Sequence, residues 1–317
     1  MSIDPLWMNI DPRIRNAVIG TQHLVGDIGF TCIVGSAALR LHGGLPLNPD
    51  SDIDCVFLLN GAALLEESVT RLLVMLYGTL GNSGMSMKNS RENASILTVT
   101  PVIEISVRKT ADESVVAQAN RITGLFNDRV PSFAIESVPP RDLAPHTWST
   151  SLMNQSLYPY RILVLWEADG RWLIKVQTAA SIGQTTLYDG RTVLLYKDLY
   201  DINVYDMYKD ISIRLADYMA TFPPVEKQGI LVANLDMLLC QQIDLFRNMG
   251  RAGIERNVEV LRVLWTSSRK QGIVRRMFGR RTNTNSSGVN IVDKFVTAIG
   301  ATSGGKRRAT KKRKRRT

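Results

Sequence analysis

Phe30-Thr-Cys-Ile-Val-Gly-Ser-Ala-Ala-Leu-Arg-Leu-His-Gly-Gly44, followed after a short loop by Asp50-Ser-Asp-Ile-Asp-Cys-Val-Phe57, is the stretch that decides the fold. Phe30 to Val34 is an apolar run bounded by Gly29 and Gly35 and reads as a buried strand. Ser36 to Leu41 has the spacing of the first turns of a helix, which Gly43-Gly44 stops. After the loop Leu45-Pro-Leu-Asn-Pro-Asp-Ser51, Ile53 to Leu59 reads as a second strand that opens within Asp-x-Asp. Strand side chains alternate, so Asp52 and Asp54 point to one side while Ile53 and Cys55 point into the core. Two carboxylates on one edge repel each other unless a cation sits between them. Mg²⁺, or Mn²⁺ in its place, is the natural cation, being hard and partial to carboxylates plus substrate phosphates. Gly35 lets the backbone approach closely, Ser36 offers a hydroxyl, and the following helix aims its free N–H groups at the same place, which suits a triphosphate. Carboxylates beside a phosphate cradle imply nucleotidyl transfer.

Outward from this core the elements follow by pattern. Residues 11–27 have helical spacing (Ile14, Val18, Ile19), with Asp11-Pro12 as the start. Ala62 to Leu80 is a helix, and Ile96 to Val107 gives one or two strands broken at Pro101. Residues 109–157 hold Pro131, Pro139-Pro140 and Pro145 and read as a loop-rich insertion or domain border. Tyr160 to Trp166 and Trp172 to Gln177 flank Ala168-Asp-Gly170, a hairpin signal, and Val193 to Tyr205 is a further strand or two. From Gln228 the pattern turns helical: Leu231, Leu235, Leu238 and Leu245 line one face, then Ile254, Val258, Leu261 and Trp265, with a turn near Asn248 to Gly253. Val289, Val292, Val296 and Ile299 form a short amphipathic stripe after the polar linker Thr282 to Gly288. The resulting expectation is an α/β (α+β) chain with a mixed sheet bearing Asp-x-Asp over 1–220, in which 109–157 is a candidate insertion. A helical lobe over 221–281 follows, then a linker and short helix over 282–300 and a disordered basic tail over 301–317.

Composition narrows the classes. The 317 residues are 44% hydrophobic, which fits a folded protein, and suffice for about two domains. The net charge of +10 is concentrated at one end: residues 306–317 hold nine Lys/Arg and no acid, and subtracting nine from 39 leaves 30 basic against 29 acidic residues elsewhere. Such a run attracts polyanions by counterion release and also reads as a nuclear-import signal. A second basic cluster, Arg269, Lys270, Arg275, Arg276, Arg280 and Arg281, is either a helix end facing phosphates or a solvated linker. Three scattered cysteines exclude a disulfide framework or zinc ribbon and point to a reducing, intracellular compartment. Three histidines without ligand spacing argue against a His-built metal site. The start lacks a secretory pattern and no apolar run is long enough to span a membrane.

The order strand, Gly-Ser turn, helix, Asp-x-Asp strand over residues 30–59 closely resembles the DNA polymerase β-like nucleotidyltransferase superfamily, which includes poly(A) polymerases, tRNA-terminal adding enzymes and toxin-type transferases. The resemblance implies that Gly35 and Ser36 bind nucleotide phosphates and that Asp52 and Asp54 hold the metals. It also implies a third carboxylate on a neighbouring strand, for which two positions compete. Asp201, in Leu199-Tyr-Asp-Ile-Asn-Val204, is the first choice, and Glu104, in Pro101-Val-Ile-Glu-Ile-Ser-Val107, is the alternative. Residues 160–265 are similar in a diffuse way to poly(A) polymerase-like proteins of large DNA viruses, with Trp172-Leu-Ile-Lys-Val-Gln177 ahead of Asp201 and Leu238, Leu239, Arg256 and Arg262 in the helical lobe. That likeness implies Lys175 as a triphosphate contact, against the plainer description of an exposed hairpin lysine. Asp201 is also a candidate acceptor of the 3′-hydroxyl proton, and the basic tail is compatible with a nuclear, viral-factory or virion location.

The expected function is therefore metal-dependent addition of nucleotides from NTP, ATP first, to an RNA 3′ end, with RNA held by the basic tail and Arg269–Arg281. The alternatives are transfer to a protein or small molecule, and a non-catalytic RNA-binding or structural member of the same fold. Trp166, Trp172, Tyr188 and Tyr196 are either base-stacking or core aromatics, and His42 reads as a packing or capping residue.

Overall fold

The apolar run before Gly35 and the run opened by Asp-x-Asp become neighbouring antiparallel strands, β1 (Gly29–Ile33) and β2 (Ile53–Leu59), in register from Gly29 opposite Leu59 to Ile33 opposite Cys55. The computed structural model describes residues 5–25, 29–59, 65–81, 83–86, 96–99, 102–107, 111–130, 160–167, 171–186, 190, 192–206, 220–267 and 291–300. Arg269–Arg281, the linker over 282–288, the tail over 301–317, Tyr188 and the turn Ala168-Asp-Gly170 lie outside the described residues. After helix α1 (Pro12–Val25) and β1, helix α2 (Gly35–Gly43) leaves the sheet at once. It stops at Gly44, whose φ of 64° is left-handed and whose amide donates back to the Leu41 carbonyl while Leu45 donates to Arg40.

Eight strands make one mixed sheet in the order β5-β6-β7-β8-β2-β1-β10-β9. The remaining members are β5 (Val102–Ser106), β6 (Tyr160–Trp166), β7 (Trp172–Thr186), β8 (Thr192–Asp206), β9 (Val225–Lys227) and β10 (Ile230–Val232). The pairs β5/β6, β2/β8 and β1/β10 are parallel and the others antiparallel, so the expected mixed α/β architecture is present. β3 (Ser83–Ser86) and β4 (Ile96–Val99) pair apart from this sheet. The two strands expected over 96–107 thus belong to different sheets, and Pro101 between them lies outside the described residues.

Residues opposite each other in a ladder face the same way, which sorts the sheet into two chemically distinct faces. Cys55, Phe57, Trp172, Ile174, Val176, Tyr200, Ile202 and Val204 are fully buried on one face. That face carries α1, α3 (Leu65–Gly81) and α4 (Glu113–Arg129), and the Trp172 indole N–H donates to Gln118 of α4 at 2.8 Å. The opposite face carries Asp54, Arg171, Lys175, Gln177, Asp201 and Asn203. With the apolar side chains buried on one face, this polar row is placed by backbone register.

Two expectations are corrected. Residues 109–157 are not loop-rich throughout, since Val115, Ala119, Ile122 and Phe126 recur at helical spacing and are buried in α4. α4 lies along α3, with Arg121 paired to Glu66 at 2.7 Å, Arg129 to Glu67 at 2.6 Å and the Phe126 and Tyr77 rings edge to face. The helical lobe also starts later than 221. Gln228 and Gly229 have φ values of 54° and 76° and turn the chain into β10, where the Gln22 side chain accepts from Leu231 N–H at 2.7 Å and donates to its carbonyl at 2.9 Å. Leu231 is thus a strand residue tied to α1, not the first of a helical stripe. The chain divides into compact units at Asn234/Leu235.

The second unit contains α5 (Leu235–Met249), a 3-10 segment over Gly250–Asn257, α6 (Val258–Ser267) and α7 (Ile291–Ala298). The helix pair and its turn fall where the spacing puts them. Phe295 of α7 packs edge to face on Phe246 and Trp265, and the Arg262 guanidinium donates to the Ile299 carbonyl at 2.9 Å. Among the described residues no helix is long and apolar enough to cross a membrane.

Candidate active site

The turn from β1 into α2 is built around one close approach. Gly35 has φ +66°, and a Cβ placed on it would lie 2.7 Å from Oδ2 of Asp54. Glycine is needed on both counts, for the left-handed backbone and for the space the carboxylate occupies. The Val34 N–H donates to the Asp54 carbonyl at 2.9 Å, which locks the start of α2 to the second acid of Asp-x-Asp. Ser36 Oγ sits 3.0 Å from Ser51 Oγ, and a small indentation beside them is lined by Ser36, Arg40, Asn48, Ser51 and Asp52.

Register across the sheet supplies the rest. β2 and β8 run parallel with Asp54 opposite Asp201, and β7 sets Lys175 opposite Asp201 from the other side. Asp52, Asp54 and Asp201 each offer a carboxylate oxygen within 4.8 Å of the others. The alternative third acid, Glu104, is on β5 at the far edge of the sheet, where it pairs with Arg161. Three strand positions separate β5 from β8, so Glu104 is not among the converging acids.

Lys175 is not an exposed hairpin lysine. Its side chain is 19% exposed, and its ammonium lies 2.9 Å from Asp201 Oδ2 and 2.5 Å from Asp198 Oδ2. In this arrangement its donors are directed to carboxylates. Asp198 reaches the site through an irregularity in the ladder: pairing slips between Val176/Tyr200 and Gln177/Asp198, leaving Leu199 as an extra residue. Such a bulge re-aims the next side chain. Gln177 then donates to Asp198 Oδ1 at 2.7 Å.

Electrostatics follow from the crowding. Burial pushes the Asp54 carboxyl up to about 7, reinforced by Asp52 and Asp201 and opposed by Lys175 and Arg171. Burial likewise pushes Asp201 up to about 6, opposed chiefly by Lys175. Lys175 is held above its usual value, Asp201 and Asp198 outweighing desolvation. Oδ1 of Asp201 is buried and has no hydrogen-bond partner among the described residues. A carboxylate oxygen left so, beside two further carboxylates, is an acceptor set with room for a cation.

A pH dependence follows, with its sign. A carboxyl whose folded value exceeds its unfolded one binds more protons when folded, so its contribution to stability falls as pH rises through that window. For Asp54 and Asp201 the window runs from about 4 to about 7. Relative to Asp54→Asn, the protein in EDTA is expected to lose roughly 5 °C in Tm between pH 5 and pH 7.5. Thermal unfolding in EDTA checks this; a Tm difference that is flat or rises with pH contradicts it.

No protein-family model matches the chain, and no curated protein does. A solved structure does resemble it. That protein is described as an antigenic nucleotidyltransferase-like protein from Paracoccidioides brasiliensis, 11% identical over 92% of this chain and 94% of its own, with a TM-score of 0.30. A likeness of that size adds nothing to the chemistry of the site, which rests on the residues themselves.

The other candidates are placed as follows. His42 Nε2 lies 2.8 Å from the Ala233 carbonyl, a structural contact between α2 and the end of β10. Trp172 is buried and packs edge to face on Trp166, and Arg161 lies over the Tyr196 ring at 4.4 Å. All three cysteines are buried and none is in a disulfide. Sequence reading missed Asp198, Ser51 and Arg171. Ser51 was available as the residue before Asp-x-Asp, and Arg171 shares strand parity with Lys175. It donates to Asn203 Oδ1 at 2.6 Å and to the Tyr205 hydroxyl at 3.0 Å. Asp198 depends on a bulge that no local pattern announces.

Proposed function

We propose that this chain is a divalent-metal-dependent nucleotidyltransferase that adds nucleotides from NTP, ATP first, to an RNA 3′ end in the manner of a poly(A) polymerase. The observation that carries the reading is the convergence of Asp52, just before β2, with Asp54 of β2 and Asp201 of the parallel β8, a buried oxygen of Asp201 having no partner among the described residues. These are hard oxygen donors, and they fit Mg²⁺ or Mn²⁺. Divalent ions held there would offset charge on the attacking and leaving oxygens of an in-line displacement at phosphorus.

The protein's own residues do the remainder. The free N–H groups that open α2, with the Ser36 hydroxyl, receive the triphosphate beside Asp52 and Asp54. Gly35 keeps that turn free of side chain, so phosphate and carboxylate share one small space. Arg171 and Lys175 lend positive charge across the sheet face. Asp201 is the third acid that would hold the ion, with its Oδ2 against the Lys175 ammonium. RNA as acceptor rests on composition: the nine basic residues among the last twelve would hold a phosphate backbone without reading its sequence.

Primer extension tests this. Purified protein is incubated with Mg²⁺ or Mn²⁺, each labelled NTP and an RNA primer, beside an Asp52→Ala/Asp54→Ala control. Extension that disappears in the control is the expected result. Label transferred to protein instead of RNA would keep the chemistry and change the acceptor. No labelled product with either metal, in protein shown to be folded, would overturn the proposal. Deleting residues 306–317 is expected to weaken RNA binding about tenfold at low salt and far less at high salt. A fluorescence titration at two salt concentrations reads it, and equal affinities for the full and shortened chains would contradict it.

A further inference from the structure

Lys175 lies against the carboxylate cluster, with its ammonium 2.9 Å from Asp201 Oδ2. It sits in a row with Asp201 and Asp54 across three adjacent strands, β7, β8 and β2. The ammonium contacts Oδ2 of both Asp198 and Asp201. Asp198 is on that face because of the ladder slip at Val176/Gln177, and its other oxygen is fixed by Gln177. The anchor therefore needs a bulge, an amide donor and two acids, all converging on one Nζ. A surface lysine serving solubility needs none of these.

We propose that Lys175 is a resident cation of this site, filling one cation position so that the protein by itself takes a single divalent ion, bounded by Asp52, Asp54 and Oδ1 of Asp201. The inference rests on the metal-binding reading above and deepens it. Oδ2 of Asp201 is occupied by the ammonium, whereas Oδ1 is buried with no partner among the described residues, so one oxygen faces the fixed cation and the other is left for the ion. Charge counting agrees. Asp52, Asp54, Asp198 and Asp201 carry four negative charges and Lys175 returns one. One dication then leaves a net charge of about −1, and a second reverses its sign to about +1. Without the lysine, two dications balance the four acids. The fixed ammonium also repels a second dication at the same carboxylate.

The test counts bound Mn²⁺ by electron paramagnetic resonance of the free ion, at pH 7.5 and without nucleotide. The wild type, Lys175→Arg and Lys175→Gln are compared, with folding checked by circular dichroism. Wild type and Lys175→Arg are expected to bind one Mn²⁺, and Lys175→Gln two, the first about tenfold more tightly than in wild type. Lys175→Met serves as the neutral variant should Lys175→Gln fail to fold. Two ions in the wild type, or one ion in both the wild type and a folded neutral variant, would overturn the role of Lys175 while leaving the metal site standing. No bound ion in any of the folded proteins would overturn the metal-binding reading itself, and this inference with it.

Discussion

Replacing Asp54 by asparagine is expected to lower nucleotidyl transfer by at least ~10³-fold while raising the Tm of the metal-free protein. The two effects have one cause. Asp54 is pushed up to about 7 by burial and by Asp52 and Asp201, so its ionised form is costly in the folded protein at neutral pH. Asparagine removes that cost and keeps the shape. It also removes a charged oxygen from the acids proposed to hold the metal, and a loss of ~10³-fold corresponds to about 4 kcal/mol of transition-state stabilisation. Single-turnover kinetics and thermal unfolding in EDTA read the two effects separately. A folded Asp54→Asn protein that retains transfer would remove Asp54 from the chemistry. One that loses Tm in EDTA would show that the acid is stabilising, against the crowding argument.

The second large effect concerns Gly35 and is separable from backbone strain by a control within the same helix. Gly35 and Gly44 bracket α2 with nearly equal φ, +66° and +64°. Alanine in the left-handed region costs about 1 kcal/mol at either position. At Gly44 the new Cβ meets no described residue within 4 Å, whereas at Gly35 it lies 2.7 Å from Oδ2 of Asp54. Gly35→Ala is therefore expected to displace the Asp54 carboxylate and to lower transfer about 10²-fold, the scale set by a misplacement of roughly 1 Å in a reacting centre. Gly44→Ala is expected to cost a similar amount of stability and to leave transfer within about twofold. Equal losses of activity in the two variants would reduce Gly35 to a turn residue.

How much of this was legible before the structure depends on whether the determining contacts are local. The Gly-Ser turn, the helix after it and the strand carrying Asp-x-Asp are all set by neighbours within a few residues, and all appear where the spacing puts them. The hairpin around Ala168-Asp-Gly170 is likewise a local feature, and β6 and β7 pair across it. The choice between Asp201 and Glu104 was not local. Both are acids on apolar strands, and only the strand order, with β8 beside β2 and β5 at the edge, separates them. For Lys175, a triphosphate contact and an exposed hairpin lysine were both open; the second description fails because its partner Asp198 reaches it through a bulge. α4 was obscured for a different reason: the prolines after residue 130 dominate the composition of 109–157, although Val115, Ala119, Ile122 and Phe126 carry a plain helical period. Leu231 fits a helical stripe by spacing, yet Gln22 and the turn at Gln228-Gly229 commit it to the sheet.

The most direct measurement is the position of a bound ion. Crystals of the full chain soaked in MnCl₂ and measured at the manganese edge should show an anomalous peak at roughly 2.2 Å from one oxygen each of Asp52, Asp54 and Asp201. Saturating Mn²⁺ with no peak there, or a peak that excludes Asp201, would contradict the convergence of these three acids on one cation.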